Sequence, residues 1–133
     1  MSIYVTDTHA LVFFANRNQR ALSRRAWEIF EQAENRQALI LIPAAALWEV
    51  SNLERIGRIT LTQSYEEWSR QLFTHPCFDC VPLDAAIIAE ARHCNINDDI
   101  FDAAIIATAK VRGLPLITRD NAITSSGLVE IVW

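Results

Sequence analysis

NDDIFDAAIIATAKVRGLPLITRD, residues 97–120, reads as a helix, a glycine stop and a short buried strand. Asp98, Asp99 and Asp102 crowd the helix start, where acids suit the positive end of the helix dipole. From Phe101 to Val111 the pattern is almost wholly apolar, with Ala104, Ile105, Thr108 and Ala109 on one face. Gly113 supplies a left-handed stop. Leu114 to Thr118 is then a short apolar run that ends on Arg119-Asp120. If that strand joins a parallel sheet, the helix runs down the sheet and the strand runs back up. The helix start and the strand end then share one edge, which brings Asp102 and Asp120 together. Open parallel sheets build their sites on that carboxyl edge.

Working outward, the same edge collects further acids. Ser2 to Thr6 is a β-branched run, a first strand that ends at Asp7. Asp7 stands where strand hands over to helix, so an N-cap is its ordinary role. His9 is expected to pack rather than act. Ser23 caps a helix to about Gln37, with Trp27, Phe30 and Ala33 inward. Ala38 to Ile42 is a second buried strand, and Pro43 stands at the start of the next helix. That helix carries Leu47, Val50 and Leu53 inward, with Glu49 among Ala44, Ala45, Ala46, Leu47 and Trp48. A carboxylate in so apolar a stretch is costly unless it is paired or bound to a metal. Gly57 closes the helix, and Ser64 caps another with Trp68, Leu72 and Phe73 inward. Phe78 to Leu83 reads as a third strand, Asp84 as a plain N-cap for a helix to about Cys94, and Leu128 to Trp133 as a last short strand. Alternating strands and helices with no linker or repeat predict one α/β domain over residues 1–133.

Composition sets the outer limits. With 133 residues, 51% hydrophobic and 21% charged, the chain can bury a proper core. No apolar run reaches the ~18 residues of a membrane span. A basic region followed by an apolar one is missing at the start, so no signal peptide is expected. Three cysteines, an odd count, favour a reducing cytoplasm over a disulfide framework. Cys77 and Cys80 have C-x-x-C spacing, with His75, His93 and Cys94 nearby, but no second pair, so apolar packing is preferred to zinc. Only three glycines speak against a phosphate-binding glycine loop. A net charge of −4 speaks against a nucleic-acid partner. That argument weakens if four acids share a metal site, because the remaining 12 acids would balance 12 Lys and Arg. Arg17, Arg20, Arg24 and Arg25 make either a solvated segment, the preferred reading, or a basic lip for phosphates.

Asp7, Glu49, Asp102 and Asp120 all fall where a doubly wound sheet shows its carboxyl edge. Carboxylates gathered in a partly buried site repel one another, and a hard divalent cation relieves that. Oxygen-only donors suit Mg²⁺ or Mn²⁺. Such a metal activates water and supports an in-line phosphodiester displacement without a histidine base or a cysteine nucleophile. Asp99, one turn before Asp102, is a fifth acid or a supporting group; Thr118 is placed to orient a ligand or water.

Asp7-Thr8-His9-Ala10-Leu11, Leu47-Trp48-Glu49-Val50, Asp99-Ile100-Phe101-Asp102 with Ile105-Ile106-Ala107-Thr108-Ala109, and Thr118-Arg119-Asp120 together resemble the PIN domain. Within it they look most like the VapC-type toxins of bacterial toxin–antitoxin pairs. The resemblance covers nearly the whole chain. It implies a three-layer α/β/α fold with a central, mainly parallel sheet, and a Mg²⁺- or Mn²⁺-dependent endoribonuclease. It also implies a cognate antitoxin and a homodimer. The family's acids fall on Asp7, Glu49, Asp102 and Asp120, and Asp99 matches a frequent additional acid. The chain departs from the common pattern at Ile100, where proline is usual, and at Ala103, where arginine is usual.

Two other readings compete. A phospho-accepting receiver domain also gathers acids on a carboxyl edge, but it wants an acidic pair after strand one and a lysine after the last strand. Here Thr6 precedes Asp7 and Arg119 precedes Asp120. A PIN-like scaffold without catalysis is the other, and it sits badly with a full set of acids. If the pocket is silenced by a partner, an arginine is well suited to fill it. Trp48, Leu53, Ile56 and Trp68 offer apolar surface nearby, although core packing is the expected fate of each.

Overall fold

Five short runs pair side by side into one sheet in a computed structural model that describes residues 1–133. The elements follow in the order β1 (Ser2–Thr6), α1 (Thr8–Ala15), α2 (Arg24–Glu34), β2 (Ala38–Pro43), α3 (Ala44–Arg55), α4 (Tyr65–Leu72), β3 (Phe78–Val81), α5 (Ala85–Ala91), α6 (Ile100–Arg112), β4 (Leu116–Ile117), α7 (Asn121–Ser126) and β5 (Ile131–Val132). The sheet order is β3-β2-β1-β4-β5, and every pairing is parallel. The chain therefore leaves β1 in one direction and β4 in the other. Right-handed crossovers then cover both faces with helices and open a crevice beyond the carboxyl ends of β1 and β4.

The strands at the centre are apolar on both faces, as a covered parallel sheet demands. Val5, Ile40, Ile42, Leu116 and Ile117 are fully or almost fully buried. A continuous core joins them to Phe30 of α2, Val50 of α3 and Ile105 and Ile106 of α6. Helix starts follow their local signals. Ser23 accepts from the Ala26 N–H and Ser64 from the Glu67 N–H, each leaving its helix with one orphan donor fewer. Gly113 adopts φ 64°, the left-handed stop anticipated for α6.

Several expectations need correction. The run after Gly113 pairs only at Leu116–Ile117, since Pro115 before it has no N–H to give a ladder, and the last run only at Ile131–Val132 beside it. β3 and α5 also stop short, at Val81 and Ala91. The helix α7 has too few apolar positions to signal itself and was not anticipated; it forms because Asp120 caps it. Trp48 and Ile56 are not core residues but exposed, at 58% and 50%, whereas Trp68 is buried. The three cysteines are free, with Cys77 and Cys94 buried and Cys80 partly so. No helix is long and apolar enough to cross a membrane.

Candidate metal centre

Asp7 ends β1 and caps α1, its Oδ1 accepting from the Ala10 N–H at 2.9 Å. The Asp7 N–H in turn donates to the Ile117 carbonyl at 3.1 Å, which ties the end of β1 to the end of β4. Asp120, three residues beyond β4, caps α7 by accepting from the Ile123 N–H at 2.9 Å. Its own N–H donates to the Thr118 hydroxyl at 3.1 Å. The two strand ends thus hold two carboxylates at the switch in strand order.

The other acids arrive on helices. Glu49 sits in the second turn of α3, and its Oε1 accepts from the Thr8 hydroxyl at 2.5 Å. Asp99 caps α6 with one oxygen shared between the N–H groups of Phe101 and Asp102, at 2.9 and 3.2 Å. Asp102, in the first turn, accepts at Oδ2 from the Asn97 amide at 2.9 Å. Asp7, Glu49, Asp99, Asp102 and Asp120 all line one pocket of about 660 Å³, whose sole apolar lining residue is Ile123. Thr118 is buried beneath it.

Electrostatics mark the same residues. Burial pushes the Asp7 carboxyl up from 3.8 to about 6, against the Thr118 hydroxyl and the Ala10 N–H, which both favour the anion. Burial also raises Glu49, with Asp99 and Asp102 adding repulsion that the Thr8 hydroxyl partly offsets. Asp102 is raised first by burial, then by Asp99 and Asp120, against the Asn97 amide. The fold therefore holds a surplus of negative charge in a partly dry place.

The donor set fits a hard divalent cation: five carboxylates, one imidazole and no sulfur line the pocket. No three of these groups are drawn together around one point, however. Each carboxylate has its own partner: helix-start N–H groups for Asp7, Asp99 and Asp120, the Thr8 hydroxyl for Glu49 and the Asn97 amide for Asp102.

His9 was expected to pack; instead it is exposed at the pocket rim, with its ring centroid 6.2 Å from that of Phe13. Thr8, Asn97 and Arg119 also reach the pocket and were not singled out as site residues. Thr8 and Asn97 had a signal, since each lies beside an acid at a helix start, where short polar side chains seek local partners. Of the basic segment, Arg17 pairs with Glu34 at 2.7 Å and Arg24 with Glu28 at 3.0 Å, which supports the solvated reading for those two.

Asp99 gives a test of the helix start alone. Asp99→Ala strips two N–H groups of their acceptor and is expected to cost about 1 kcal/mol, which Asp99→Asn largely restores. Urea denaturation of the three proteins measures it.

The sequence pattern of the PIN domain family matches residues 4–125. No curated protein sequence matches the chain. Among solved structures, VapBC2 from Rickettsia felis bound to a promoter DNA fragment contains a similar chain: 13% identity, TM-score 0.70, 98% of each chain covered. A toxin–antitoxin complex from Klebsiella pneumoniae matches at 18% identity and TM-score 0.60, covering 100% of this chain and 97% of the other. VapBC-5 of Mycobacterium tuberculosis, a member of the VapBC family of toxin–antitoxin systems, matches at 19% identity and TM-score 0.56, covering 99% and 98%. At these identities the likeness is one of fold.

Proposed function

The chain belongs to the PIN domain family, and from that premise we propose that it is a metal-dependent endoribonuclease, the VapC-type toxin of a toxin–antitoxin pair. The observation that carries this reading is the convergence of five carboxylates on one pocket at the switch in strand order. In this reading Asp7, Glu49, Asp102 and Asp120 hold Mg²⁺ or Mn²⁺, with Asp99 at the edge of the set. A bound cation of this kind lowers the pKa of a water ligand and takes up negative charge on the phosphate oxygens of a scissile diester. The chain's own part is to present the oxygens. Thr8 fixes the rotamer of Glu49, Asn97 fixes that of Asp102, and the cap to Ala10 fixes that of Asp7. Thr118 steadies the turn that carries Asp120. No side chain in the pocket offers a cysteine nucleophile, and none is needed.

The test is cleavage of single-stranded RNA with and without Mg²⁺ or Mn²⁺. Cleavage that persists in EDTA, or that survives replacement of any of the four acids, sinks the reading. Binding has its own readout. A ligand that binds only the folded state at about 100 times its Kd stabilises it by ~2.7 kcal/mol. Mg²⁺ is therefore expected to raise the wild-type melting temperature by several degrees, and that of Asp102→Asn much less.

We assign the protein to the cytoplasm as one domain and a homodimer, to be checked by sedimentation. Its partner is a cognate antitoxin, a reading supported by the toxin–antitoxin complexes among the fold relatives. An apolar groove of about 560 Å³ adjoins the acid pocket, lined by Trp48, Leu83, Ile88, Ile100 and Phe101. Trp48 neighbours Glu49 in the chain, and Ile100 and Phe101 lie between Asp99 and Asp102. One antitoxin tail can thus place Arg or Lys among the acids and apolar side chains on Trp48. The buried Trp68 is no longer part of that surface. Saturating Mg²⁺ is expected to weaken antitoxin binding measurably, as is neutralising Glu49 or Asp120; unchanged affinity in calorimetry speaks against occupation of the site.

A further inference from the structure

A polyanion that approaches this pocket meets five carboxylates. Arg119 is the one lysine or arginine among the residues that line it. None of the four ion pairs in the structure includes Arg119, although it adjoins Asp120 in the chain. Its side chain is anchored by neutral groups instead. The guanidinium lies over the Phe13 ring at 4.9 Å, and Nη1 donates to the Ala21 carbonyl at 3.4 Å. Cation–π contact and one hydrogen bond hold the side chain in place without cancelling its charge, and they leave most of its five N–H donors free. Arg119 is exposed, so those donors face solvent at the rim. His9 is Phe13's neighbour one turn back on the same helix and lines the same pocket. Arg20, next to Ala21 in the chain, is likewise outside every ion pair.

We propose that Arg119, braced on Phe13, is a positioning residue that holds a phosphate of the RNA strand at the mouth of the acidic pocket. This rests on the nuclease reading above. A planar guanidinium with parallel N–H groups pairs with phosphate in bidentate fashion, which fixes orientation as well as place. A phosphate held there offsets the repulsion between the RNA backbone and the acids, and sets the register of the strand before cleavage. Phosphate contacts of this kind position a strand without reading its sequence.

Two measurements test it. In steady-state cleavage of a single-stranded RNA with Mg²⁺, Arg119→Gln is expected to raise KM about tenfold with kcat within a factor of about two. In the Asp102→Asn background, fluorescence anisotropy with the same labelled RNA is expected to show a shallower salt dependence. The slope of log K against log salt should fall by about 0.7, one phosphate contact on a single strand. Arg119→Lys keeps the charge and should restore the slope. Arg119→Met keeps the stem on Phe13 and should behave as Arg119→Gln, which covers the case in which the glutamine variant folds poorly. If wild type cleaves RNA and both uncharged variants keep its KM and salt slope, Arg119 has no such role and the nuclease reading stands. A loss confined to kcat also overturns the proposal. If wild type neither binds nor cleaves RNA, the nuclease reading fails and this inference with it.

Discussion

Asp102→Asn is expected to abolish metal-dependent RNA cleavage, by on the order of 10³-fold or more, while leaving the metal-free protein at least as stable as wild type. The first half follows from the loss of a ligand to the proposed cation, whose charge stabilisation amounts to several kcal/mol. The second half is a matter of sign. Asp102 lies in the first turn of α6, where a negative charge gains ~0.3–1 kcal/mol from the helix dipole. Burial and the neighbouring Asp99 and Asp120 act the other way, and the carboxyl is raised on balance. The folded environment therefore disfavours the charge despite the dipole and the Asn97 amide. Asparagine removes the charge and keeps the shape. Thermal melting in EDTA, beside an RNA cleavage assay, reads both halves. A melting temperature several degrees below wild type would show that Asp102 is chiefly a helix-start residue and would weaken the metal assignment.

The second large effect is a pH dependence that runs opposite to ordinary acid unfolding. Asp7 is pushed from 3.8 up to about 6 in the folded chain. A group whose folded pKa lies above its unfolded value stabilises the fold in full below the unfolded pKa. That contribution is lost as pH rises through the folded one. From pH ~3 to ~7 the metal-free protein should thus lose about 3 kcal/mol from this residue, about 2 kcal/mol of it between pH ~4 and ~6, or on the order of 5–10 °C in melting temperature. Glu49 and Asp102 are raised as well and act in the same direction. Asp7→Asn should remove most of the slope, because asparagine is neutral throughout and still caps α1. Mg²⁺ should flatten the wild-type profile above pH 6, where the acids are charged and able to bind it. Guanidinium chloride midpoints in EDTA at pH 4.5, 5.5 and 6.5 give the slope. A wild-type midpoint that is flat or rises across this range would show that the Asp7 charge is already compensated within the chain.

How far residues announced their place depended on the range of the forces that set it. Caps and strand ends were legible because they are local. Asp7 after a β-branched run, Asp99 before an apolar helix and Gly113 after it act on backbone groups within a few residues. Those placements, together with the rule that parallel sheets expose their sites at one edge, were enough to gather Asp7, Glu49, Asp102 and Asp120 on paper. The same local chemistry concealed α7, whose short and mostly polar run carries no periodicity.

What lay beyond the sequence was every property set by which elements meet. Whether Trp48 or Trp68 is buried depends on where α3 and α4 rest, and their local patterns look alike; the structure buries one and exposes the other. The sheet order β3-β2-β1-β4-β5 puts Asp7 against Ile117 and Thr118, at the pocket that Asp120 also lines, across a strand boundary that no spacing encodes. The pairing of Thr8 with Glu49, 41 residues apart, exists because α1 and α3 pack together. His9 reaches the rim and Arg119 lies over Phe13 for the same reason: two segments far apart in the chain are brought edge to edge at the switch in strand order. Burial, desolvation and charge repulsion are sums over such neighbours, so the raised Asp7 carboxyl is a property of the assembled crevice and of no segment in it.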